Sequence, residues 1–323
     1  MTEVADNPTT NWQRLPDMPV GKWEPASIVV DGKLYVLGGY EDGVNSSKRV
    51  DVFDPAEGTW TRVQDLPSAV SHLNLVADST GFWFAGGMKG KVSPGKDHVI
   101  AEVWQLHLEK DRYIAAPLLP GPRAGGGLAR IGDKLHYVSG LIEDRDTDAA
   151  EHWVLDLAIW KANANPVWIE AAPLPAPRNQ FSTAVLNGHI YIIGGELNHD
   201  SQQLDQDRVD VYDPETDTWG EGPALPYGHS HSEGATFVDN DRIYIIGGHT
   251  TPEGGKKGFC GDVLVLNEGV GWTVPCRLPK PTSSPAAAII DRKLYVAGGW
   301  YGRVAEDKTW LSSPEVWVTD VPG

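Results

Sequence analysis

Histidine and glutamate alternate with serine at one place in the chain, His229-Ser230-His231-Ser232-Glu233. If the segment is extended, the three ionisable side chains project to one side, about 6.5–7 Å apart. Neutral imidazoles with a carboxylate suit Zn, Fe or another divalent metal. The same groups suit general acid/base catalysis or polar contacts to a ligand. We therefore treat the segment as a candidate metal, proton-transfer or ligand site, with a hydrogen-bonded structural role as the plain alternative.

The elements that would position this segment recur along the chain. Apolar strands end in Gly-Gly doublets, and Ser139-Gly140 is a degenerate copy of the doublet. The doublets begin at positions 38, 86, 139, 194, 247 and 298, so the intervals are 48, 53, 55, 53 and 51 residues. A period near 50 residues is typical of the blades of a β-propeller.

Each repeat predicts four antiparallel strands. In the first repeat, strands at 28–30 and 34–37 flank Asp31-Gly32, a pair that favours a tight hairpin turn. A third strand follows at 50–53, and a fourth strand carries Trp60. Each half of the repeat thus alternates a strand with a turn signal, and no helical periodicity competes with that pattern.

The doublets and the strand pattern between them resemble those of the kelch-repeat family. The family pattern joins the doublet to a Tyr before Asp-Pro and a Trp about six residues later, as in Tyr212-Asp213-Pro214 and Trp219. The resemblance extends over residues 11 to 320 or so and implies an all-β, six-bladed kelch-type β-propeller. The general layout is similar to that of bacterial kelch proteins such as sialic-acid mutarotases, although the catalytic residues of those enzymes do not map onto positions here.

Ring closure follows from where the strands fall in the repeat. The strand at 11–15 occupies a fourth-strand position, and the strand at 315–319 occupies a third-strand position. We expect the N-terminal strand to complete the last blade, which removes an exposed sheet edge. The prediction is a polar N-terminal tail at 1–10 and one propeller domain at 11–323.

Counting back from each doublet aligns the entrances of the inner strands. Fourteen residues before the first glycine stand Glu24, His72, Gly125, Gln180, Glu233 and Ser284. Sixteen residues before it stand Lys22, Val70, Arg123, Arg178, His231 and Thr282. Because alternate residues of a strand share a face, we expect both rows to line the mouth of the central channel. Loops on a rigid scaffold are also where function usually lies.

The rows nominate residues for separate roles. Proton transfer is assigned to Glu24, His72, His231 and Glu233, and metal binding to His229, His231 and Glu233. Ligand contacts are assigned to Arg123, Arg178, Gln180, Tyr40, Trp300 and Tyr301, where the arginines could anchor an anion and the aromatics could form a stacking wall. The alternatives are that the arginines bond loop carbonyls and that the aromatics only cover blade ends. His152, His199 and His249 are further loop candidates.

Composition narrows the choice of partner and compartment. The formal net charge of −17 disfavours nucleic acid and anionic membranes, which need a basic face. No apolar run approaches the roughly 20 residues of a membrane span, and the polar start lacks the features of a secretory signal. We expect a soluble, cytoplasmic protein whose two cysteines, Cys260 and Cys276, are free thiols.

Two functions of different classes remain. In the first, the channel mouth of a monomeric protein binds a small polar, anionic ligand. It transforms that ligand by acid/base or metal-assisted chemistry of the isomerase, lyase or hydrolase type. In the second, the same loops form a kelch protein-interaction platform without catalysis. Titratable groups at the mouth and the lack of a coupling domain favour the first function. Fold alone cannot choose between them.

Overall fold

The computed structural model describes residues 10–93, 96–162 and 164–322. Within these residues, six four-stranded antiparallel sheets form the six blades of a β-propeller. The fold predicted from the doublets is confirmed. Residues 1–9 of the expected polar tail lie outside the described part of the chain. No helix in the described ranges is long and apolar enough to cross a membrane.

In each blade a two-stranded hairpin follows the doublet, except in blades 3 and 6. Blade 1 contains β2 (Ala26–Val30), β3 (Lys33–Leu37), β4 (Tyr40–Glu41), β5 (Asn45–Ser46), β6 (Val50–Asp54) and β7 (Thr59–Arg62), after β1 (Gln13–Leu15). Blade 2 contains β8 (Asn74–Asp78), β9 (Gly81–Ala85), β10 (Met88–Ser93), β11 (Lys96–Val99), β12 (Val103–His107) and β13 (Arg112–Ala115), with a 3₁₀ turn at Leu108–Lys110. Blade 3 contains β14 (Gly127–Ile131), β15 (Lys134–Val138), β16 (His152–Asp156) and β17 (Trp168–Ala171), with helix α1 (Leu157–Lys161).

The second half of the ring repeats this order. Blade 4 contains β18 (Ser182–Leu186), β19 (His189–Ile193), β20 (Glu196–Leu197), β21 (Leu204–Asp205), β22 (Val209–Asp213) and β23 (Thr218–Glu221). Blade 5 contains β24 (Thr236–Asp239), β25 (Arg242–Ile246), β26 (His249–Thr250), β27 (Gly258–Phe259), β28 (Asp262–Asn267) and β29 (Gly271–Arg277), with a 3₁₀ turn at Glu233–Ala235. Blade 6 contains β30 (Ala286–Ile290), β31 (Lys293–Ala297) and β32 (Val316–Asp320).

The N-terminal strand completes blade 6, as the sequence predicts. β1 pairs antiparallel with β32, and Leu15 lies opposite Val316. In blades 3 to 6, tryptophans of the outer strand or beside it tie the blade to the one before it. Trp219 Nε1 donates to Ala172 O at 2.8 Å and Trp272 Nε1 to Pro223 O at 2.8 Å. Trp12 supplies the same bond for blade 6, donating to Arg277 O at 2.8 Å.

Backbone conformation explains why the doublets recur. Gly38 and Gly39 have φ values of 63° and 73°, in the left-handed region that favours glycine. A Cβ on Gly39 would lie 2.6 Å from the backbone nitrogen of Pro25. The doublet thus allows the second strand to pass directly against the chain that enters the inner strand, and this close passage sets the rim of the channel.

Candidate functional site

A belt of six residues surrounds the channel just before the inner strands. All six have positive φ: Glu24 (51°), His72 (56°), Gly125 (59°), Gln180 (52°), His231 (58°) and Ser284 (44°). The backbone N–H of one belt residue donates to the carbonyl of the preceding belt residue, as from Gln180 to Gly125 at 2.8 Å and from Ser284 to His231 at 3.0 Å. The same bond joins Glu24 to Ser284 at 3.2 Å, across the seam between blades 1 and 6. Among the six belt residues all but His72 donate in this way, and these bonds join neighbouring blades at the mouth.

The first aligned row is correct in five blades and wrong in blade 5, where the belt residue is His231 instead of Glu233. In each blade, the residue before the belt residue forms a β-bridge with the residue that directly follows the doublet. Trp23 pairs with Tyr40 in this way, and Ser230 pairs with His249. From that bridge to the first residue of the doublet, blade 5 is two residues longer than the other blades. The longer segment contains the 3₁₀ turn at Glu233–Ala235.

The second aligned row does not line the mouth. The side chains of Lys22 and Arg178 turn back into the blade and bond the carbonyl of the doublet's first residue, and Lys22 Nζ donates to Gly38 O at 3.3 Å. In blade 5 this position is occupied by His229 instead of His231, and His229 Nε2 donates to Gly247 O at 2.6 Å. Arg178 Nε donates to Gly194 O at 2.5 Å. These donors satisfy backbone acceptors that would otherwise be buried without partners, which is a structural role.

Both candidate arginines are thus anchors of the scaffold. The guanidinium of Arg178 is buried and pairs with Asp210 Oδ2 at 2.8 Å. Arg123 Nη2 lies 3.1 Å from Glu151 Oε2, and its guanidinium stacks 4.6 Å from the ring of Trp153. The structure does not support the expectation that these two residues hold an anion in the channel, because these contacts hold both guanidinium groups within their blades.

Ionisable side chains from blades 1, 2, 4 and 5 meet above the belt. Glu24 Oε2 lies 3.2 Å from Nε2 of His72, and Glu24 Oε1 lies 3.7 Å from Nε2 of His231. On its other side, His231 Nδ1 lies 3.5 Å from Glu196 Oε2. Glu196 Oε1 lies 2.7 Å from Nδ1 of His199. We call these residues, with His249 and Glu233, the His/Glu cluster.

Serines and a neighbouring imidazole orient the histidines of the cluster. Ser71 Oγ lies 2.9 Å from His72 Nδ1, and Ser230 Oγ lies 2.8 Å from His231 Nδ1. Each serine directly precedes its histidine, so the positive φ of the belt folds the pair into this contact. The ring of His249 packs 4.2 Å from that of His231. The Nε2 atoms of His72 and His231 are thereby directed at Glu24.

Burial sets the protonation of the cluster in opposite directions. Burial raises the pKa of Glu24 and of Glu196 well above the usual range, and raises the pKa of Glu233 to about 8. Burial also lowers the pKa of His72, His231 and His249 well below the usual range. Neutral carboxylic acids therefore stand beside neutral imidazoles near pH 7, and such a pair provides a proton donor and a proton acceptor in one site.

Several buried polar atoms of the cluster and of the belt have no hydrogen-bond partner among the described residues. They are Glu24 Oε2, Gln180 Nε2, Glu233 Oε1 and both ring nitrogens of His249. The 3.2 Å approach of His72 to Glu24 Oε2 lacks hydrogen-bonding geometry, so that oxygen remains unsatisfied. An unpaired buried polar group costs about 1–3 kcal/mol, so this concentration is unusual for a purely structural core.

Loops that carry Asp97, Arg145, Asp200 and Lys257 cover the cluster, and we call these loops the roof. Arg145 reaches between two of these loops, with Nε 3.1 Å from Asp200 Oδ2 and Nη1 donating to Asp97 O at 3.3 Å. Tyr40 Oη donates to Asp97 Oδ2 at 3.0 Å. Lys257, on the hairpin loop of blade 5, is exposed, and its positive charge opposes the effect of burial on the pKa of Glu24. The roof thus presents cations to an interior that contains acids and imidazoles.

Aromatic side chains line one flank of the mouth. Trp300 stacks on Trp310 at 4.4 Å, and Trp23 lies 5.7 Å from Trp300. Tyr40 packs edge-on against His72 at 5.7 Å. Tyr301 does not join this group, because its hydroxyl bonds Ser313 Oγ at 2.7 Å and its ring faces Lys280. Tyr40 and Trp300 therefore lie near the cluster, and Tyr301 does not.

The three residues nominated for a metal do not converge. His229 bonds a blade carbonyl, His231 occupies the belt and Glu233 lies in the 3₁₀ turn, because the segment is not extended. Throughout 10–93, 96–162 and 164–322, no group of three or more His, Cys, Asp or Glu residues has the arrangement needed to hold a metal ion. The metal expectation assumed an extended strand that projects the three side chains to one side, and the segment does not form such a strand.

Sequence reasoning missed Glu196 and underrated two loop histidines. Glu196 directly follows the doublet of blade 4, and Tyr40, His249 and Trp300 occupy the same position in their blades. Aligning that position would have placed all four at the mouth. His199 and His249 belong to the cluster, whereas His152 bonds His136 inside blade 3, with 2.9 Å between ring nitrogens.

Comparison with known proteins agrees with this architecture. The Kelch motif matches residues 24–67, 177–226 and 281–320, which fall in blades 1, 4 and 6. The structure of YjhT superposes with a TM-score of 0.73 at 16% identity, over 93% of this chain and 95% of that one. The fold therefore defines a six-bladed β-propeller with an ionisable cluster at one channel mouth.

Several curated proteins are similar to the chain in sequence. A kelch repeat-containing protein of Arabidopsis thaliana is 25% identical over 309 residues, 90% of this chain and 71% of that protein. Kelch-like protein 35 of Mus musculus is 25% identical over 66% of this chain but 33% of its own length. Beta-scruin of Limulus polyphemus is 23% identical over 68% of this chain and 24% of its length. Three stretches of the chain thus match the Kelch motif, and the chain spans a third or less of the length of the latter two relatives.

Proposed function

We propose that the chain binds a small polar ligand in the roofed His/Glu cluster and transfers protons to or from it. The observation that carries this proposal is the convergence of unpartnered buried polar atoms on Glu24, Gln180, Glu233 and His249. A hydroxylated ligand would supply the missing donors and acceptors and recover their desolvation cost. Lys257 and Arg145 would face an anionic group on that ligand.

The chemistry follows from the two protonation states. Glu24 is a neutral acid between two imidazoles, and His231 is a neutral base between two carboxyls. Glu24 would donate a proton to one side of the ligand while His231 or Glu196 accepts one from another. Isomerisation and elimination both require this pairing of acid with base, and a positioned proton donor contributes about 10²–10⁴-fold in rate.

The test is a substrate panel in D₂O followed by proton NMR. Polyols, sugar acids and hydroxy acids are incubated with the protein, and proton transfer at carbon appears as loss of a C–H signal. We expect at least one compound to exchange. We also expect Glu24→Gln to slow that exchange by about 100-fold or more, whereas Glu170→Gln, on the exposed outer strand of blade 3, leaves it unchanged. Equal rates in both variants would contradict the role of Glu24.

A protein-recognition role has one observation in its favour. Val304 and Trp310, paired on the blade 6 loop, are 48% and 39% exposed, which is high for large apolar side chains. If this loop recognises a protein partner, Val304→Glu abolishes that association and Glu24→Gln preserves it, as measured by affinity chromatography with each variant. The opposite pattern would assign the association to the His/Glu cluster.

A further inference from the structure

The 3₁₀ turn at Glu233–Ala235 crosses the channel beneath the belt. Gly234 O accepts a hydrogen bond from Ser27 Oγ, although Ser27 lies in blade 1 and the turn belongs to blade 5. A Cβ on Gly234 would lie 2.1 Å from Pro25 O, so the turn is wedged against the entrance of blade 1. The two extra residues of blade 5 therefore place a partition inside the channel.

A cavity of about 480 Å³ lies on the other side of this partition. The inner strands line it, with Ser27 and Thr236 beside the turn and Val238 and Asp239 further along β24. The wall of the cavity therefore includes Ser27, which bonds the turn at Gly234, and Thr236, which directly follows the turn. The channel consists of a roofed chamber that contains the His/Glu cluster and a lower cavity beneath the belt.

Glu233 connects the two parts. It stands two residues after the belt residue His231, and the next residue, Gly234, is wedged against Pro25, which directly follows Glu24. The charge of Glu233 adds to the effect of burial in raising the pKa of Glu24, and the charge of Glu196 acts in the same way on Glu233. Glu24 and Glu196 are at most 8% exposed, whereas Glu233 retains partial exposure as a residue. Its Oε1 nevertheless has no hydrogen-bond partner among the described residues.

Hydroxyl groups continue from the turn toward the lower cavity. Ser232 Oγ lies 3.1 Å from Ser182 Oγ, and Thr236 Oγ1 donates to Ser182 Oγ at 2.7 Å. Thr236 and Ser27 both line the cavity. A polar route therefore runs from the partition to the cavity, whereas the roof closes the opposite side through Arg145, Asp97 and Asp200.

We propose that Glu233 is the proton-relay residue through which the His/Glu cluster exchanges protons with water in the lower cavity. The proposal rests on the proposed function, in which the cluster must regain or lose a proton after each reaction. The carboxyl of Glu233 first gives its proton to a water molecule or buffer base, which leaves as hydronium or the conjugate acid. The resulting carboxylate then takes a proton from the carboxyl of Glu24 or Glu196, and the reverse sequence reloads the site.

The route is testable without any substrate. In protein with ¹⁵N-labelled histidine, NMR measures how fast the ring N–H protons of His72 and His231 exchange with water at pH 7. We expect Glu233→Gln to slow this exchange by tenfold or more, because an amide cannot pass a proton on. Glu170→Gln should leave the exchange rates unchanged. Exchange that is equally fast in folded Glu233→Gln protein would overturn the proposal.

A second variant keeps the test decisive if Glu233→Gln fails to fold. Val238→Trp fills the lower cavity from a half-exposed position, and Val270→Trp, 75% exposed on a hairpin turn, is its matched control. We expect Val238→Trp alone to slow exchange several-fold. If Arg145→Gln accelerates exchange and neither Glu233→Gln nor Val238→Trp changes it, protons enter through the roof and the relay is wrong. Ligand exchange in the D₂O assay tests the proposed function separately, since the histidine measurement contains no ligand.

Discussion

Glu24 in blade 1 and His231 in blade 5 face each other across the channel, with 3.7 Å between Oε1 and Nε2. Both residues occupy the belt, where a φ of 51° and of 58° directs the side chain out of the strand and toward the mouth. Ordinary strand geometry would bury each side chain between blades. The strained backbone of the belt is therefore what assembles the cluster, and such strain is often concentrated at functional sites.

The pKa of Glu233 predicts that stability falls as pH rises. Because the pKa rises from 4.5 to about 8 on folding, the contribution of this group is fully present below pH 4.5 and is lost as pH rises through about 8. Glu233→Gln stays neutral, so its free energy of unfolding should decline less than that of the wild type between pH 5 and 8.5. Urea unfolding at several pH values measures this. Parallel curves would show that Glu233 ionises in the folded protein as it does in the unfolded chain.

The His136–His152 pair predicts a loss of stability in acid. His152 Nδ1 donates to Ala172 O at 3.2 Å, so its Nε2 must accept from His136 Nδ1 at 2.9 Å. A second proton would break this arrangement, and burial lowers the pKa of His136 to about 3 and that of His152 to about 4. The stability is present above pH 6.5 and is lost as pH falls toward those values.

Each histidine should remove about 1.4 kcal/mol of unfolding free energy per pH unit within that window. His136→Gln keeps an amide donor for His152 and removes one titrating group, so we expect the slope between pH 6 and 4.5 to fall by about 1.4 kcal/mol per pH unit. Chemical denaturation in acetate and phosphate buffers measures the slope. An unchanged slope would assign the acid sensitivity to other residues.

Arg178 and Arg208 form a matched pair that separates a scaffold anchor from a surface charge. Both contact Asp210, but Arg178 is buried and Arg208 is 37% exposed at its side chain. Arg178→Met leaves Asp210 and the carbonyl of Gly194 without their buried donor, and we expect a loss of about 3–5 kcal/mol. Arg208→Met should cost about 1 kcal/mol or less. Equal losses in thermal unfolding would contradict the assignment of Arg178 as an anchor.

The doublet of blade 2 predicts a strong effect of adding a methyl group. Gly86 has a φ of 66°, and a Cβ there would lie 2.4 Å from Arg123 O. We expect Gly86→Ala to destabilise the protein by more than about 2 kcal/mol, since backbone strain and a clash with backbone combine. Gly220→Ala, where nothing lies within 4 Å of the added Cβ, should stabilise by a few tenths. The difference in unfolding midpoint between the two variants is the readout.

Much of the fold could be predicted from local signals. Turn pairs, doublets and apolar strands specify each hairpin by near-neighbour sterics, so six blades and closure by β1 follow from their order and spacing. The belt positions in blades 1, 2, 3, 4 and 6 follow from the same counting. Counting back from the doublet gave the wrong belt residue in blade 5. The segment between the β-bridge and the doublet is two residues longer there, and Glu233 therefore lies in the 3₁₀ turn instead of on the belt.

The sequence by itself determined the propeller, its closure and five of the six belt residues, because those depend on short-range geometry repeated every 50 or so residues. Only the tertiary structure decided which way each side chain faces. Arg178 and His229 turn inward to satisfy buried carbonyls. Glu196, His199 and His249 join Glu24 because ring closure brings distant blades around one axis. Hydrogen-bond demand and burial act between blades, and no spacing within one repeat encodes them.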